Sequence, residues 1–448
     1  MNSKIIRMFF LLIIIIFCEQ IRADGLDNDC SYKDKYEIER YKRLKLDFTL
    51  KEHDLIQNLK KYLINVSIGD IKKWESGHLL EYKIFNNEKY YFKESIPNFF
   101  RLYKDNFNIK ESPLPINKNT FPLNEHINKV IINILKENKF YVLPVTFKVK
   151  HTITVKKDVL PAGEVIRCWI PFPREISGRQ INIKLLETEP KNYILASNKN
   201  LQRTIYFEKK SKKGELTTFY AEYQFTSFAT YNDVNPSKIK KTKISEKLLP
   251  YLQEEPPHII FSQDLKELSK KITGNEKNSF NIARKIFEWV YINIPWVSAR
   301  EYSTIKNISQ YALEYRHGDC GIKTMLFITL CRFNNIPARW QSGWEFQPPK
   351  SSMHDWCEIY LEPYGWIPVD VTYGVRNSNN DKVKWFYLTS LDSYRLVFND
   401  DMSQEIYPIK TYFKSDSVDS QRGEVEWRGC NLYYNKWNYN FEWEMLDN

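Results

Sequence analysis

The period of the hydrophobic pattern changes along this chain, and that change constrains the fold more than any other feature. From Val145 to Val155, apolar residues alternate with threonine and lysine, which is typical of a half-buried β-strand. Further alternating runs predict an antiparallel β-domain over residues 144–232. After Ser262, apolar residues recur every three or four positions, as in amphipathic helices. The pattern therefore predicts an α+β protein.

Length and composition predict several domains. The chain has 448 residues, of which 42% are hydrophobic and 27% charged, so disordered, collagen-like and coiled-coil proteins are excluded. At about 100–200 residues per domain, we expect two to four domains. The predicted parts are a signal peptide (1–23), a mixed helical N-terminal region (24–143), the β-domain (144–232), a linker (233–261), a catalytic domain (262–400) and a C-terminal extension packed on the core (401–448).

The first 23 residues have the pattern of an export signal. Lys4 and Arg7 precede an unbroken apolar run from Met8 to Cys18, and Ala23 supplies a small residue at the cleavage site. This run of 11 residues is too short to cross a bilayer, whose hydrocarbon core is about 30 Å thick. We therefore predict an exported protein, periplasmic or secreted to the cell surface, without an integral membrane span and with its leader removed near Ala23.

Charge and cysteine usage argue against nucleic-acid and metal sites. The formal net charge is +11, but the lysines are scattered singly or in short clusters, which is typical of solvated surfaces. The seven cysteines are too sparse for a disulfide scaffold, and none has zinc-site spacing. We therefore predict no nucleic-acid partner, no metal and no cofactor. The oligomeric state is left open.

Cys320 has the sequence context of a nucleophile. It follows Gly318 and Asp319 and precedes apolar residues at helical spacing, so it is expected in the first turn of a buried helix. Free backbone N–H groups and the helix dipole at such a position can lower a thiol pKa from about 8.5 towards 3.5–7.5. The same N–H groups can stabilise an oxyanion.

His354 and Asp370 are expected on adjacent antiparallel strands. A Glu-Pro-Tyr-Gly turn centred near residues 363–364 joins the two strands, and this places the two residues within a few positions of register. Asp370 could then orient the imidazole, which would deprotonate Cys320. Asp355 alternates to the opposite face from His354, so it is not expected to replace Asp370.

Four short motifs carry a resemblance to a known family. They are GDC at 318–320, IPAR at 336–339, HDW at 354–356 and GWIPVD at 365–370. Their order and spacing resemble those of the transglutaminase-like superfamily, which uses papain-type chemistry. The resemblance implies a buried helix packed on an antiparallel sheet, with Cys320 as nucleophile, His354 as general base and acid, and Asp370 as the orienting carboxylate.

The resemblance also sets the functional expectation. Outer blocks at 162–173 and 422–439 are similar to those of large exported bacterial members of this superfamily. We expect a cofactor-free enzyme that attacks amide bonds of a protein, peptide or glycopeptide, as a protease or amidase rather than as a cross-linker. Two alternatives stay open: a transglutaminase that joins glutamine to amines, and a non-catalytic binding or scaffold protein that keeps the fold.

Overall fold

The computed structural model describes residues 32–105, 108–115 and 121–446, and the predicted signal peptide lies outside these ranges. The α-helices of the described residues are α1 (Tyr32–Asp47), α2 (Glu52–Tyr62), α3 (Ile68–Ser76), α4 (Ser95–Leu102), α5 (Leu123–Glu137), α6 (Gln263–Thr273), α7 (Ser279–Asn293), α8 (Ile308–Tyr315), α9 (Cys320–Phe333) and α10 (Asp381–Lys384). The strands are β1 (Phe48–Lys51), β2 (Tyr82–Phe85), β3 (Glu88–Phe92), β4 (Tyr141–Val155), β5 (Val165–Pro171), β6 (Gln180–Glu189), β7 (Ile194–Leu195), β8 (Thr204–Lys210), β9 (Thr217–Thr230), β10 (Ala338–Gln347), β11 (Lys350–Leu361), β12 (Gly365–Val369), β13 (Arg395–Asp400), β14 (Glu424–Trp427), β15 (Cys430–Asn431) and β16 (Trp437–Leu446). The predicted α+β class is confirmed.

The N-terminal region packs around its own apolar core. Helices α1–α4 surround a small antiparallel sheet in the order β1-β3-β2, and apolar residues such as Leu59, Trp74 and Phe99 are buried between them. Helix α3 begins at a capping box, because Ser67 accepts a hydrogen bond from the N–H of Asp70 and the Asp70 carboxylate accepts one from the N–H of Ser67. Local sequence signals therefore define this helix start.

The N-terminal region also holds the segment that leads to Cys320. The side-chain amide of Asn98 donates a hydrogen bond to the carbonyl of Ser298 (2.7 Å) and accepts one from the backbone N–H of Ser298 (2.9 Å). The carboxylate of Asp47 accepts from the N–H of Glu301 (3.0 Å). These polar contacts fix the backbone at Ser298 and Glu301, about twenty positions before Cys320.

Two antiparallel sheets form the β-domain. Their strand orders are β16-β4-β9-β6 and β15-β14-β5-β8-β7, and apolar side chains such as Phe147, Ile166 and Phe207 pack between them. The antiparallel strands predicted within residues 144–232 are confirmed. Strands β14–β16 come from the C-terminal segment and extend both sheets.

A third large sheet, with the order β12-β11-β10-β13, carries the candidate site. Helix α9 packs against β10 and β11, with α7 and α8 on other sides, and its apolar residues are almost completely buried. A helix that is apolar on nearly all sides needs such cover. Residues 233–261 contain two short 3₁₀-helices and pack against α9, where Arg332 donates to the carbonyl of Gln253 (3.1 Å).

None of the helices in the described part of the chain is long and apolar enough to span a membrane. The domain boundaries predicted from the sequence stay predictions.

Gly343 lies where β10 approaches β13 too closely for a side chain. A Cβ atom there would overlap the backbone carbonyl of Leu396, and a backbone atom cannot turn aside as a flexible side chain can. We expect Gly343→Ala to lower the free energy of unfolding by about 1–3 kcal/mol, measured by urea denaturation. Gly69→Ala is the matched control, since its Cβ would meet only the Ser67 hydroxyl oxygen at 3.6 Å; equal losses for both variants would contradict the expectation.

Candidate active site

Helix α9 begins as the sequence predicts, with Cys320 at its first residue. Asp319 is the N-cap, and its Oδ1 accepts a hydrogen bond from the N–H of Ile322 (3.1 Å). Gly321 lies directly under the hydroxyl of Tyr302 and the carboxyl of Asp355, where a Cβ atom would overlap both. The glycine therefore allows two polar side chains to approach the start of the helix.

The Cys320 thiol is half-buried and donates a hydrogen bond to Oδ2 of Asp355 (3.3 Å). Burial, followed by the carboxyl groups of Asp355 and Asp319, raises the pKa of the thiol well above its usual value. The prediction that the helix start lowers this pKa is therefore wrong for the arrangement seen here. Loss of water around sulfur and two nearby acids outweigh the helix dipole.

His354 and Asp370 lie together, as the turn geometry predicts. Cys357 on β11 pairs with Val369 on β12, so Asp370 comes directly after β12, close to the position opposite His354. Nε2 of His354 is 2.7 Å from Oδ2 of Asp370, and both side chains are buried. Oδ1 of Asp370 accepts from the N–H of Thr372 (3.1 Å), which fixes the carboxylate.

The charges of this pair support each other. Burial alone would lower the pKa of His354, but Asp370 and then Glu345 raise it above its ordinary value. Burial opposes ionisation of Asp370 as well, yet His354 and Arg395 lower its pKa. The pair therefore favours a charged imidazole beside an ionised carboxylate.

The structure does not bring Cys320 and His354 into a hydrogen bond. In the β10–β11 register His354 lies opposite Gly343 and Asp355 lies opposite Ser342, so His354 and Asp355 are successive residues of β11. Asp355, however, contacts the thiol of Cys320, and this contact was not expected from the sequence.

Sequence reasoning missed Arg395, a buried residue on β13. Its Nη1 is 2.8 Å from Oδ2 of Asp370, and its Nη2 is 2.9 Å from Oδ2 of Asp392. The Arg395 guanidinium therefore donates to the same carboxylate oxygen of Asp370 that His354 contacts. An isolated arginine 25 positions after Asp370 carries no motif that could reveal this role.

Lys323 and Gln421 were also missed. Burial lowers the pKa of Lys323 to about 8, although the nearby Asp370 and Cys320 oppose this effect. A lysine inside the apolar stripe of α9 is a signal that could have identified it. Gln421, from the C-terminal segment, donates to Oδ1 of Asp355 (2.8 Å) and to the carbonyl of His354 (3.0 Å).

Several other polar or aromatic residues are part of the core. Cys331 and Cys357 are fully buried, and the described cysteines, numbers 168, 320, 331, 357 and 430, are free thiols. His151 is also fully buried within β4. Trp340, Trp344 and Trp356 are at most 5% exposed, so they pack in the interior rather than lining an open groove. The described residues contain no group of three or more His, Cys, Asp or Glu side chains that could hold a metal ion.

Comparison with known proteins identifies the family of this domain. Residues 266–371 match the model of the transglutaminase-like superfamily, so the chain carries a transglutaminase-like superfamily domain that holds Cys320, His354 and Asp370. Members of this family are generally cysteine-dependent hydrolases or transferases. The uncharacterised protein YebA of Bacillus subtilis (strain 168) is 22% identical over 131 residues, which are 25% of this chain and 18% of YebA. This chain thus spans less than a fifth of that relative.

Two solved structures match parts of this chain. A candidate cysteine protease from Cytophaga hutchinsonii has a TM-score of 0.49 and 17% identity, over 69% of this chain and 93% of its own. The periplasmic domain of TgpA from Pseudomonas aeruginosa, solved with ethylmercury, has a TM-score of 0.26 and 11% identity, over 54% of this chain and 92% of its own.

Proposed function

We propose that this protein is an exported, cysteine-dependent acyl transfer enzyme that attacks amide bonds through Cys320, His354 and Asp370. The observation that carries the proposal is the buried contact of 2.7 Å between His354 and Asp370, in a domain whose nucleophile position is the first residue of α9. Nε2 of the imidazole is hydrogen-bonded to Asp370, so Nδ1 is the nitrogen available to take the thiol proton.

The proposed reaction begins when the thiol leaves Asp355 and gives its proton to His354. The thiolate adds to the amide carbonyl, and the backbone N–H groups at the start of α9 stabilise the oxyanion. His354 then donates its proton to the leaving amine, and a thioester with Cys320 remains. Water releases an acid from this thioester, whereas a lysine amine forms a cross-link.

We propose hydrolysis of a protein, peptide or glycopeptide as the physiological outcome. Support comes from the resemblance of the outer sequence blocks to those of exported bacterial members, and from the leader-like residues 1–23. Because both outcomes share the thioester, a direct assay distinguishes them: hydrolysis releases new amino groups from casein, whereas cross-linking incorporates a fluorescent amine.

The proposal is tested by the rate of iodoacetamide labelling at each cysteine between pH 4 and 9, read by peptide mass spectrometry. We expect Cys320 to label at least about tenfold faster than the buried Cys331 or Cys357 near pH 7, because its thiol is only half-buried and His354 takes its proton once it leaves Asp355. His354→Ala is expected to remove this advantage, because no base is left for the thiol proton. Equal labelling of Cys320 in both proteins would overturn the proposal.

A non-catalytic binding or scaffold protein is the second candidate. The specific observation in its favour is that Sγ of Cys320 is bonded to Asp355, with a raised thiol pKa, rather than to His354. Under this alternative Cys320 would label as slowly as the buried cysteines at every pH below 9.

A further inference from the structure

Two carboxyl groups share a single tyrosine hydroxyl beside the Cys320 thiol. Oη of Tyr302 lies 2.9 Å and 3.0 Å from the two carboxyl oxygens of Asp319, and 3.1 Å from Oδ2 of Asp355. The same Oδ2 atom accepts the hydrogen bond from Sγ of Cys320 at 3.3 Å. Asp355 and Tyr302 are both buried, so water cannot replace a missing partner.

The number of protons in this group follows from its geometry. A tyrosine hydroxyl has one proton and can donate it to only one of two ionised carboxylates. Two carboxylates held this close also repel each other, so one of them keeps a proton. Asp319 accepts the N–H of Ile322 at the positive end of α9, which favours its ionised form. Burial, together with Asp419 and Asp319, raises the pKa of Asp355 well above its usual range, so we assign the shared proton to Asp355.

We propose that Asp355 is a second polar partner of the Cys320 thiol: it positions Sγ when neutral, and it suppresses thiolate formation once it ionises in alkaline solution. As a neutral acid it can donate its own proton to the thiolate, in a bond that an ionised carboxylate cannot make. As an anion it would place a second negative charge about 3.3 Å from sulfur. The loss of one proton at Asp355 would therefore set the upper pH limit of Cys320 reactivity.

The groups around Asp355 allow this behaviour. The acids that face it are Asp319 from the start of α9 and Asp419 from the C-terminal segment, and its titratable hydrogen-bond partners are Tyr302 and Cys320. Gln421 donates a neutral amide hydrogen to Oδ1 (2.8 Å). Lys414 and Arg422 lower the pKa of Asp419 rather than contacting Asp355, so no cation in the described residues forms an ion pair with Asp355.

The test is the pH profile of iodoacetamide labelling at Cys320 in the full chain with Asp355→Asn. Asparagine keeps the size and neutrality of the protonated acid but cannot ionise. We expect wild type and Asp355→Asn to label equally below about pH 6, and the variant to label about tenfold faster at pH 9, as for a thiol pKa lower by one unit. Identical profiles, or slower labelling of the variant at all pH values, would overturn the role of Asp355.

Two further variants keep this test decisive. Asp401→Asn is the matched control, because Asp401 is a buried aspartate with a raised pKa that bonds the N–H of Met402 and not Cys320; its profile should equal that of wild type. If Asp355→Asn does not fold, Tyr302→Phe replaces it. Loss of the hydroxyl that stabilises the Asp355 anion should raise the pH at which labelling is suppressed, and an unchanged profile would overturn the role.

The role of Asp355 rests on the proposed function of Cys320, but the two fail differently. An effect of Asp355→Asn without an effect of His354→Ala would overturn the catalytic proposal and keep the Asp355–thiol coupling. An effect of His354→Ala without one of Asp355→Asn would do the reverse.

Discussion

Replacing Asp370 by asparagine is expected to slow formation of the acyl-enzyme at Cys320 by about 10³–10⁴-fold, as loss of the orienting carboxylate does in other triads. Asp370 accepts the Nε2 proton of His354, at a distance of 2.7 Å, and so leaves Nδ1 unprotonated to act as the base. Asparagine can instead donate to Nε2, which favours the tautomer that carries its proton on Nδ1. The measurement is the rate constant of the initial burst of p-nitrophenol from p-nitrophenyl acetate, which reports the first turnover of the enzyme.

Asp392→Asn is the matched control for this prediction. Asp392 is the second carboxylate bound to Arg395 (2.9 Å), but it bonds Tyr387 (2.8 Å) rather than His354. Both substitutions remove one ion pair from Arg395, and only Asp370→Asn changes the partner of the imidazole. A burst that falls equally in both variants would show that the effect comes from loss of structure and would contradict the role of Asp370.

Arg395→Met is expected to lower the free energy of unfolding by about 3–5 kcal/mol, the usual cost of leaving buried charges without their partner. The guanidinium is 1% exposed and lies between Asp370 and Asp392, which are both fully buried. Methionine preserves part of the packing but leaves two buried acids without their shared cation. Guanidinium chloride denaturation at pH 7 gives the change in stability.

The loss of unfolding free energy in Arg395→Met should depend on pH, and it should be smaller in acid. In the folded wild type the pKa of Asp392 is lowered to about 2, chiefly by Arg395 against the effect of burial, and that of Asp370 is lowered too. The stability that these two acids contribute to the fold is present above their unfolded-state pKa of about 3.9 and is lost as the pH falls towards 2. The variant acids become neutral at higher pH, so the deficit should be smaller at pH 4 than at pH 7.

The exposed Arg428 provides the control for Arg395. It pairs with Glu164 at 2.6 Å, but its side chain is 79% exposed, so Arg428→Met should cost no more than about 1 kcal/mol. A similarly small loss for Arg395→Met, with no dependence on pH, would contradict the proposed burial of an essential cation.

The sequence predicts those parts of the site that depend on short-range order. Cys320 at a helix start and the pairing of His354 with Asp370 follow from one apolar stripe, one turn and the spacing of four motifs. The antiparallel strands of the β-domain follow from alternation, since β4 and β9 each have one buried face. These features need no knowledge of distant segments.

The remaining features of the site depend on long-range contacts. Arg395 reaches Asp370 from β13, and Tyr302 and Gln421 reach Asp355 from segments on either side of the motif region. No local pattern encodes these approaches, because each results from packing between separate elements. The prediction of a lowered pKa for Cys320 was wrong for the same reason: it considered the helix and not the acids that the fold places beside it.

The contribution of the last strands to the β-domain has a consequence for how the chain folds. The transglutaminase-like domain is an insertion within the β-domain, because the chain leaves that domain after β9 and returns at β14. Contacts such as that between Arg428 and Glu164 join residues 264 positions apart, and such closures are slow steps in folding. Until residues 424–446 have been synthesised, β4 and β5 each keep one unpaired edge, which is open to pairing with another chain.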